Sequence, residues 1–242
     1  MPPIPILTYH QIAQAPKRGS PMRSLYVSPS AFALQMQALS LLGYQGLSMT
    51  DLMPYLKGER HGKVIGITFD DGYVNNLDNA SGILKKFNFS STCYVVSELL
   101  GKTNSWDHAL GIASAPLMDR FELQQWIDSG QEIGSHTQHH VDLTTSNSAN
   151  SQSEILNSRI TLSQLLNMNI QQFCYPYGRY APEHVDMVKA AGYLAATTTA
   201  RGKVHNADNL FELRRIPVVR STSLPQFLFK IMSSYEDRYR NV

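Results

Sequence analysis

The sequence predicts an α/β fold on a mainly parallel sheet, open or closed into a barrel. Short apolar, strand-like runs alternate with amphipathic helical stretches along its whole length. No Pro/Gly/Ser-rich linker, repeat or low-complexity tract divides it, so one domain spanning residues 1–242 is expected. The number of strands, about seven or eight, suits a barrel slightly smaller than the common eightfold one.

The elements follow in order. Ile4 to Tyr9 reads as a strand. Ser28-Pro29-Ser30 is an N-cap signal for a helix carrying Phe32, Leu34, Met36, Leu39 and Leu42, which Gly43 stops. Tyr44 to Ser48 reads as a short strand, and Thr50 as the cap of a helix ending at Leu56. Val64 to Phe69 is almost wholly apolar or β-branched, as a central buried strand should be. Leu77, Ala80, Ile83 and Leu84 mark a helical face, followed by a strand from Ser91 to Val96. Phe121 to Ser129 is a predicted helix, with Trp126 on its core side, and Glu132 to Ser135 a strand. The polar stretch Thr144 to Ser153 reads as a loop before a helix carrying Ile155, Ile160, Leu162 and Leu165. Gln171 to Tyr175, Tyr193 to Thr199 and Leu213 to Val219 are strands. Pro182 to Ala191 and Leu224 to Ser234 are helices.

Composition excludes several classes. At 43% hydrophobic and 17% charged residues the chain is not a disordered tail. Its net charge of +2, from 21 basic and 19 acidic side chains without a basic stripe, argues against nucleic acid as a partner. No run approaches the ~18 apolar residues of a membrane span. The segment Met1 to Leu7 lacks the basic head and long apolar stretch of a signal peptide. A cytoplasmic location is expected for the chain as it stands, or an exported one for a trimmed form. Cys93 and Cys174 lie in apolar runs and read as buried thiols.

In parallel α/β folds ligands bind at the carboxyl ends of the strands. There this sequence places His10, Asp70-Asp71-Gly72, His136 with His140, and Pro176-Tyr177-Gly178. Histidines four apart on a helical turn share a side, so His136 and His140 can hold one ion, leaving out the adjacent His139. Adjacent buried carboxylates are costly unless something positive compensates them. Asp70 and Asp71 therefore suggest one ligand and one free base, or alternatively a simple Asp-Gly turn. Two imidazoles and one carboxylate leave open positions on a divalent ion, as hydrolysis requires. Zinc fits that set best, and cobalt, nickel or iron could fill it.

Thr68-Phe69-Asp70-Asp71-Gly72 followed by His136-Thr137-x-x-His140 resembles the first two motifs of the polysaccharide deacetylases, the NodB-homology proteins of carbohydrate esterase family 4. Tyr175-Pro176-Tyr177-Gly178 looks like most of their third motif. The resemblance implies a distorted (β/α) barrel of about seven strands. It further implies Asp70 as general base toward a metal-bound water, and Asp71, His136 and His140 as metal ligands. The backbone N–H of Tyr177, after Pro176, would bind the oxyanion. The implied reaction is hydrolysis of an acetyl group, most often from an N-acetylglucosamine residue of a glycan.

Three departures stand out. Cys174 occupies the place of the family's motif-three arginine, the usual fourth motif is absent, and no histidine follows Arg220 to supply the late Leu-x-His acid. Leu7-Thr8-Tyr9-His10 suggests a circularly permuted arrangement similar to the poly-N-acetylglucosamine deacetylase branch, with His10 as the acid. Alternation would point one of Arg214 and Arg215 inward, and a register argument selects Arg215 as the guanidinium that orients Asp70. Trp106-Asp107-His108 reads as part of a loop over the site, either packing or touching sugar rings. His61, His184 and His205 carry no assignment. Two alternatives remain at this level: the same fold acting on an O-acetyl or formyl group, and a non-catalytic glycan-binding barrel.

Overall fold

A computed structural model describes residues 2–241 of the chain. In chain order the strands and helices begin with β1 (Ile6–Tyr9), β2 (Gln11–Ile12), β3 (Tyr26–Val27), α1 (Pro29–Leu41) and β4 (Gln45–Leu47). Next come α2 (Met49–Leu56), β5 (Val64–Phe69), α3 (Val74–Lys86), β6 (Thr92–Val95), α4 (Arg120–Asp128) and β7 (Glu132–Ser135). The series ends with α5 (Ser148–Leu166), β8 (Gln172–Cys174), α6 (Pro182–Ala190), β9 (Ala195–Arg201), β10 (Leu213–Pro217) and α7 (Leu224–Met232).

Seven parallel strands close on themselves in the order β1, β10, β9, β8, β7, β6, β5, with β5 returning to pair with β1. The expected sheet is thus a closed barrel. The eighth strand, β4, pairs with the lower half of β5 through Gln45–Val64 to Leu47–Gly66, while β6 takes the upper half at Thr68 and Phe69. Outside the barrel, β2 and β3 form a separate short ribbon.

Side-chain alternation sorts the strands into two layers. Leu7, Tyr9, Ile67, Phe69, Phe173 and Ile216 face outward into the larger core beneath the helices. Phe69 anchors that layer, stacking on Tyr9 at 5.6 Å and meeting Trp126 edge-on at 5.6 Å. Ile6, Tyr94, Cys174, Ala195 and Leu213 line the interior. By the same parity Thr68, Asp70, Cys174 and Arg215 point inward near the top, which is why the buried polar groups gather there.

Several expected boundaries shift. Ser48, not Thr50, caps α2, its hydroxyl accepting from Asp51 N–H. Thr50 turns to the barrel floor, where its hydroxyl donates to Glu132 and accepts from Gln172. The stretch read as loop from Thr144 to Ser153 already holds the first turns of α5, capped by Asn147; those turns face solvent except at Ser151, so they look polar. Leu34 and Ile160 stand exposed, on the outer faces of their helices.

The interior is filled to contact. A Cβ on Gly134 of β7 would lie 2.5 Å from the Tyr94 ring. Gly134→Ala is expected to destabilise the protein by about 1–3 kcal/mol through overpacking, read as a lower urea midpoint. An unchanged midpoint would show that the Tyr94 ring can move aside.

Candidate active site

Strand β5 carries two carboxylates past its end, and they take different partners. Asp70 continues the inward parity of Thr68. Asp71 would point the other way, but its backbone adopts a left-handed conformation, φ 77°, which swings its carboxylate back over the barrel mouth. Both are buried.

Asp70 is held by Arg215 in a bidentate pair, Oδ1 to Nη1 and Oδ2 to Nη2, each 2.7 Å. The guanidinium is itself fixed: Nε donates to Thr198 O at 2.8 Å, Nη1 to Thr68 Oγ1 at 3.0 Å, and Nη2 lies 3.2 Å from Cys174 Sγ. Such a fork is both stronger and more directional than a single contact. Burial works to raise the Asp70 carboxyl, but the charge and hydrogen bonds of Arg215 outweigh it and leave the group below its ordinary value. Burial likewise opposes the charge of Arg215, and Asp70 more than restores it. Arg214, on the outer face, instead donates to the Arg201 carbonyl at 3.0 Å. Cys174, standing where the family motif has arginine, thus lies under the arginine that β10 supplies.

Asp71 meets the two histidines. Its Oδ1 lies 3.5 Å from His136 Nε2 and 3.3 Å from His140 Nε2. The histidines are not on a helical turn, contrary to the spacing argument. They lie on an irregular loop after β7, with Thr137 at φ 67° and His140 at φ 59°. Thr137 Oγ1 accepts from His140 N–H at 3.0 Å and closes the turn.

The donor set fits a divalent cation. His136 Nδ1 lies 2.7 Å from the carbonyl of Cys174, which can only accept. That contact places a proton on Nδ1 and leaves Nε2 as the ring nitrogen that faces Asp71. Burial lowers His140, favouring its neutral form, while Asp71 is held well below the usual carboxylate range despite its own burial, first by a hydrogen bond with His140. Two imidazole Nε2 atoms and one carboxylate oxygen converging among buried residues form a donor set that a divalent ion could bridge.

Other expected site residues surround this cluster. His10 follows β1, half-buried, and a charge on its ring acts on both carboxylates. Its carbonyl accepts from Asn76 Nδ2 at 2.8 Å, and Asn76 Oδ1 accepts from Ile12 N–H at 3.0 Å. Asn76, fully buried in α3, was not anticipated; two adjacent asparagines in a helix's first turn were the available signal. Pro176 is buried, and Tyr177 beside it is left-handed at φ 59°. The Tyr177 ring meets His140 edge-on at 4.6 Å, and Trp106 stacks on His140 at 4.4 Å. Gly178 is obligatory here, since a Cβ would lie 1.9 Å from Thr199 Oγ1. His184, buried, caps α6 by accepting from Ala181 N–H.

Comparison with known proteins agrees with this geometry. A family model described as polysaccharide deacetylase matches residues 57–196. YxkH of Bacillus subtilis, described as a putative polysaccharide deacetylase, is 26% identical over 89% of this chain and 71% of its own length. The poly-beta-1,6-N-acetyl-D-glucosamine N-deacetylase of Staphylococcus epidermidis is 26% identical over 81% of this chain and 69% of its own. Among solved structures, the Streptococcus pyogenes deacetylase PplD, in complex with acetate, superposes with a TM-score of 0.83 at 27% identity, covering 95% of this chain and 98% of PplD. IcaB from Ammonifex degensii, at 21% identity and a TM-score of 0.77 over 96% of this chain and 97% of its own, shares the fold.

The Asp70–Arg215 pair makes a test available. Arg215→Met should cost about 3–5 kcal/mol in metal-free protein, because it strands a buried carboxylate. Adding Asp70→Asn should recover part of that loss, as measured by urea unfolding. Strictly additive costs would mean that the two groups do not depend on each other.

Proposed function

The chain belongs to the polysaccharide deacetylase family, and from that premise we propose that it hydrolyses acetyl groups from an N-acetylglucosamine-containing glycan. One divalent ion, zinc by preference, would be held by Asp71, His136 and His140. The observation that carries this reading is the division of labour between adjacent carboxylates: Asp71 turns to two imidazole nitrogens and Asp70 to Arg215. A ligand and a base are thereby held apart within two residues.

When bound, the ion would acidify water and polarise the acyl carbonyl. The remaining steps fall to the protein. Asp70, ionised and fixed in plane by the Arg215 fork, takes a proton as water oxygen bonds to the acyl carbon. The Tyr177 N–H, presented by the left-handed turn after Pro176, donates to the oxygen that becomes negative. Donors of that kind are typically worth about 10²–10³ in turnover. His10, on the same rim, gives a proton to the sugar nitrogen as the C–N bond breaks, yielding acetate and a free amine. Histidine suits that role because its ordinary pKa lies near neutrality.

The likeness to the staphylococcal N-deacetylase supports an amide of an amino sugar as substrate, and the acetate in PplD supports acetyl as the group removed. The intact Asp70–Arg215 pair favours catalysis over a glycan-binding role, since binding alone gives no chemical use to a buried, oriented base.

The test is acetate release from N-acetylglucosamine oligomers by zinc-loaded wild type, Asp70→Asn and His10→Ala, with metal content measured in each. Wild type is expected to release acetate. Each variant should lose about 10²–10⁴ in kcat while retaining zinc, the usual range for a general acid or base. No acetate from zinc-loaded wild type would overturn the acetyl reading, and near-normal turnover of His10→Ala would remove His10 from the acid role.

A further inference from the structure

The loop that carries His136 and His140 is backbone of an expensive kind. Thr137 and His140 are both left-handed, at φ 67° and 59°, and for a β-branched residue such as Thr137 this conformation is a genuine outlier. Strain of this sort persists only where the surroundings over-determine it. From one side the loop is tied by Ser97 N–H to Thr137 O at 3.1 Å and Glu98 N–H to Gln138 O at 3.0 Å. From the other side comes a single residue, Glu154 of α5.

Glu154 is only 4% exposed. Its Oε2 accepts from the backbone N–H of Gln138 at 2.9 Å and of His139 at 3.0 Å, and its Oε1 accepts from His139 Nδ1 at 2.7 Å. A carboxylate withdrawn from water is costly unless such donors satisfy it, and here three of them do. All three come from Gln138 and His139, two of the three residues that separate His136 from His140. They set the path of the backbone between the two imidazoles whose Nε2 atoms meet at Asp71. The His139 side chain, set aside as a ligand, becomes part of this brace.

We infer that Glu154 is a positioning residue for the metal-binding histidine pair, acting through the 137–139 backbone and buttressed by His139. The inference rests on the metal reading proposed above. With Glu154 in place the two imidazoles are pre-set, so binding does not have to order the loop; without it, the ion would meet a loop that relaxes out of its left-handed conformation.

The experiment uses the whole chain as wild type, Glu154→Ala and Glu154→Gln, each prepared metal-free. Zinc affinity is measured by competition with a chromophoric chelator, and hydrogen exchange of the Gln138 and His139 amides is followed without metal. Glu154→Ala is expected to bind zinc about 10–100-fold more weakly, the usual effect of removing support from a ligand, and to lose protection at those two amides. Glu154→Gln keeps one acceptor oxygen at the same reach, so it should recover part of both, and it serves as the main variant if Glu154→Ala does not fold. A lowered melting temperature with wild-type zinc affinity would make Glu154 a packing residue only and overturn the inference. Undiminished amide protection would overturn it equally. Wild type that binds no zinc would instead overturn the metal reading, and the ligand-positioning role with it, while the exchange data alone would still report whether Glu154 holds the loop.

Discussion

A buried guanidinium facing a buried carboxylate is the constraint around which the top of this barrel is arranged. Neither Arg215 nor Asp70 can be left alone at that depth, and each has the other at 2.7 Å on both arms of the fork. The pair fixes which face of β5 and β10 looks inward, since a one-residue slip in either strand would drive a charge into the apolar layer around Phe69. Thr68, Thr198 and Cys174 follow as neighbours of the guanidinium. Asp71, one residue on, is then free to serve a different partner, provided the chain turns sharply enough.

That turn belongs to a pattern. Among the described residues seven non-glycines have positive φ, and four of them, Asp71, Thr137, His140 and Tyr177, lie at the barrel mouth. Regular strands alone would have sent these side chains to the wrong side or left them out of reach of one another. The rigid barrel beneath supplies the stability against which such conformations can be held. Two of the three proposed ligands depend on it directly.

Much of this could be read from the sequence, for identifiable reasons. The Val64–Phe69 run is so apolar that it had to be buried, and buried strands of parallel sheets deliver ligands at their carboxyl ends; hence Asp70 and Asp71. Alternation required one of Arg214 and Arg215 to face inward, but the choice of Arg215 rested on strand register, which the sequence specifies only weakly. Local rules failed where the deciding contact was non-local. The histidine spacing suggested a helical turn, yet the geometry comes from Thr137 and from Glu154, fourteen to eighteen residues away from the ligands it braces. Thr50 looked like a helix cap because nothing nearby revealed that Glu132, across the barrel floor, would claim its hydroxyl. The start of α5 was hidden by a polar surface, which hydrophobic periodicity cannot register.

The proposed chemistry requires one ion held by Asp71, His136 and His140, with Asp70 left free. Anomalous diffraction at the zinc edge from zinc-soaked crystals tests this directly. The expected result is a single peak within about 2.0–2.2 Å of Asp71 Oδ1 and both Nε2 atoms, with Asp70 still paired to Arg215. A peak bound instead by Asp70, His136 and Cys174, a second buried trio whose ligand atoms also lie within 4.8 Å of one another, would contradict it. So would a map with no zinc at the barrel mouth.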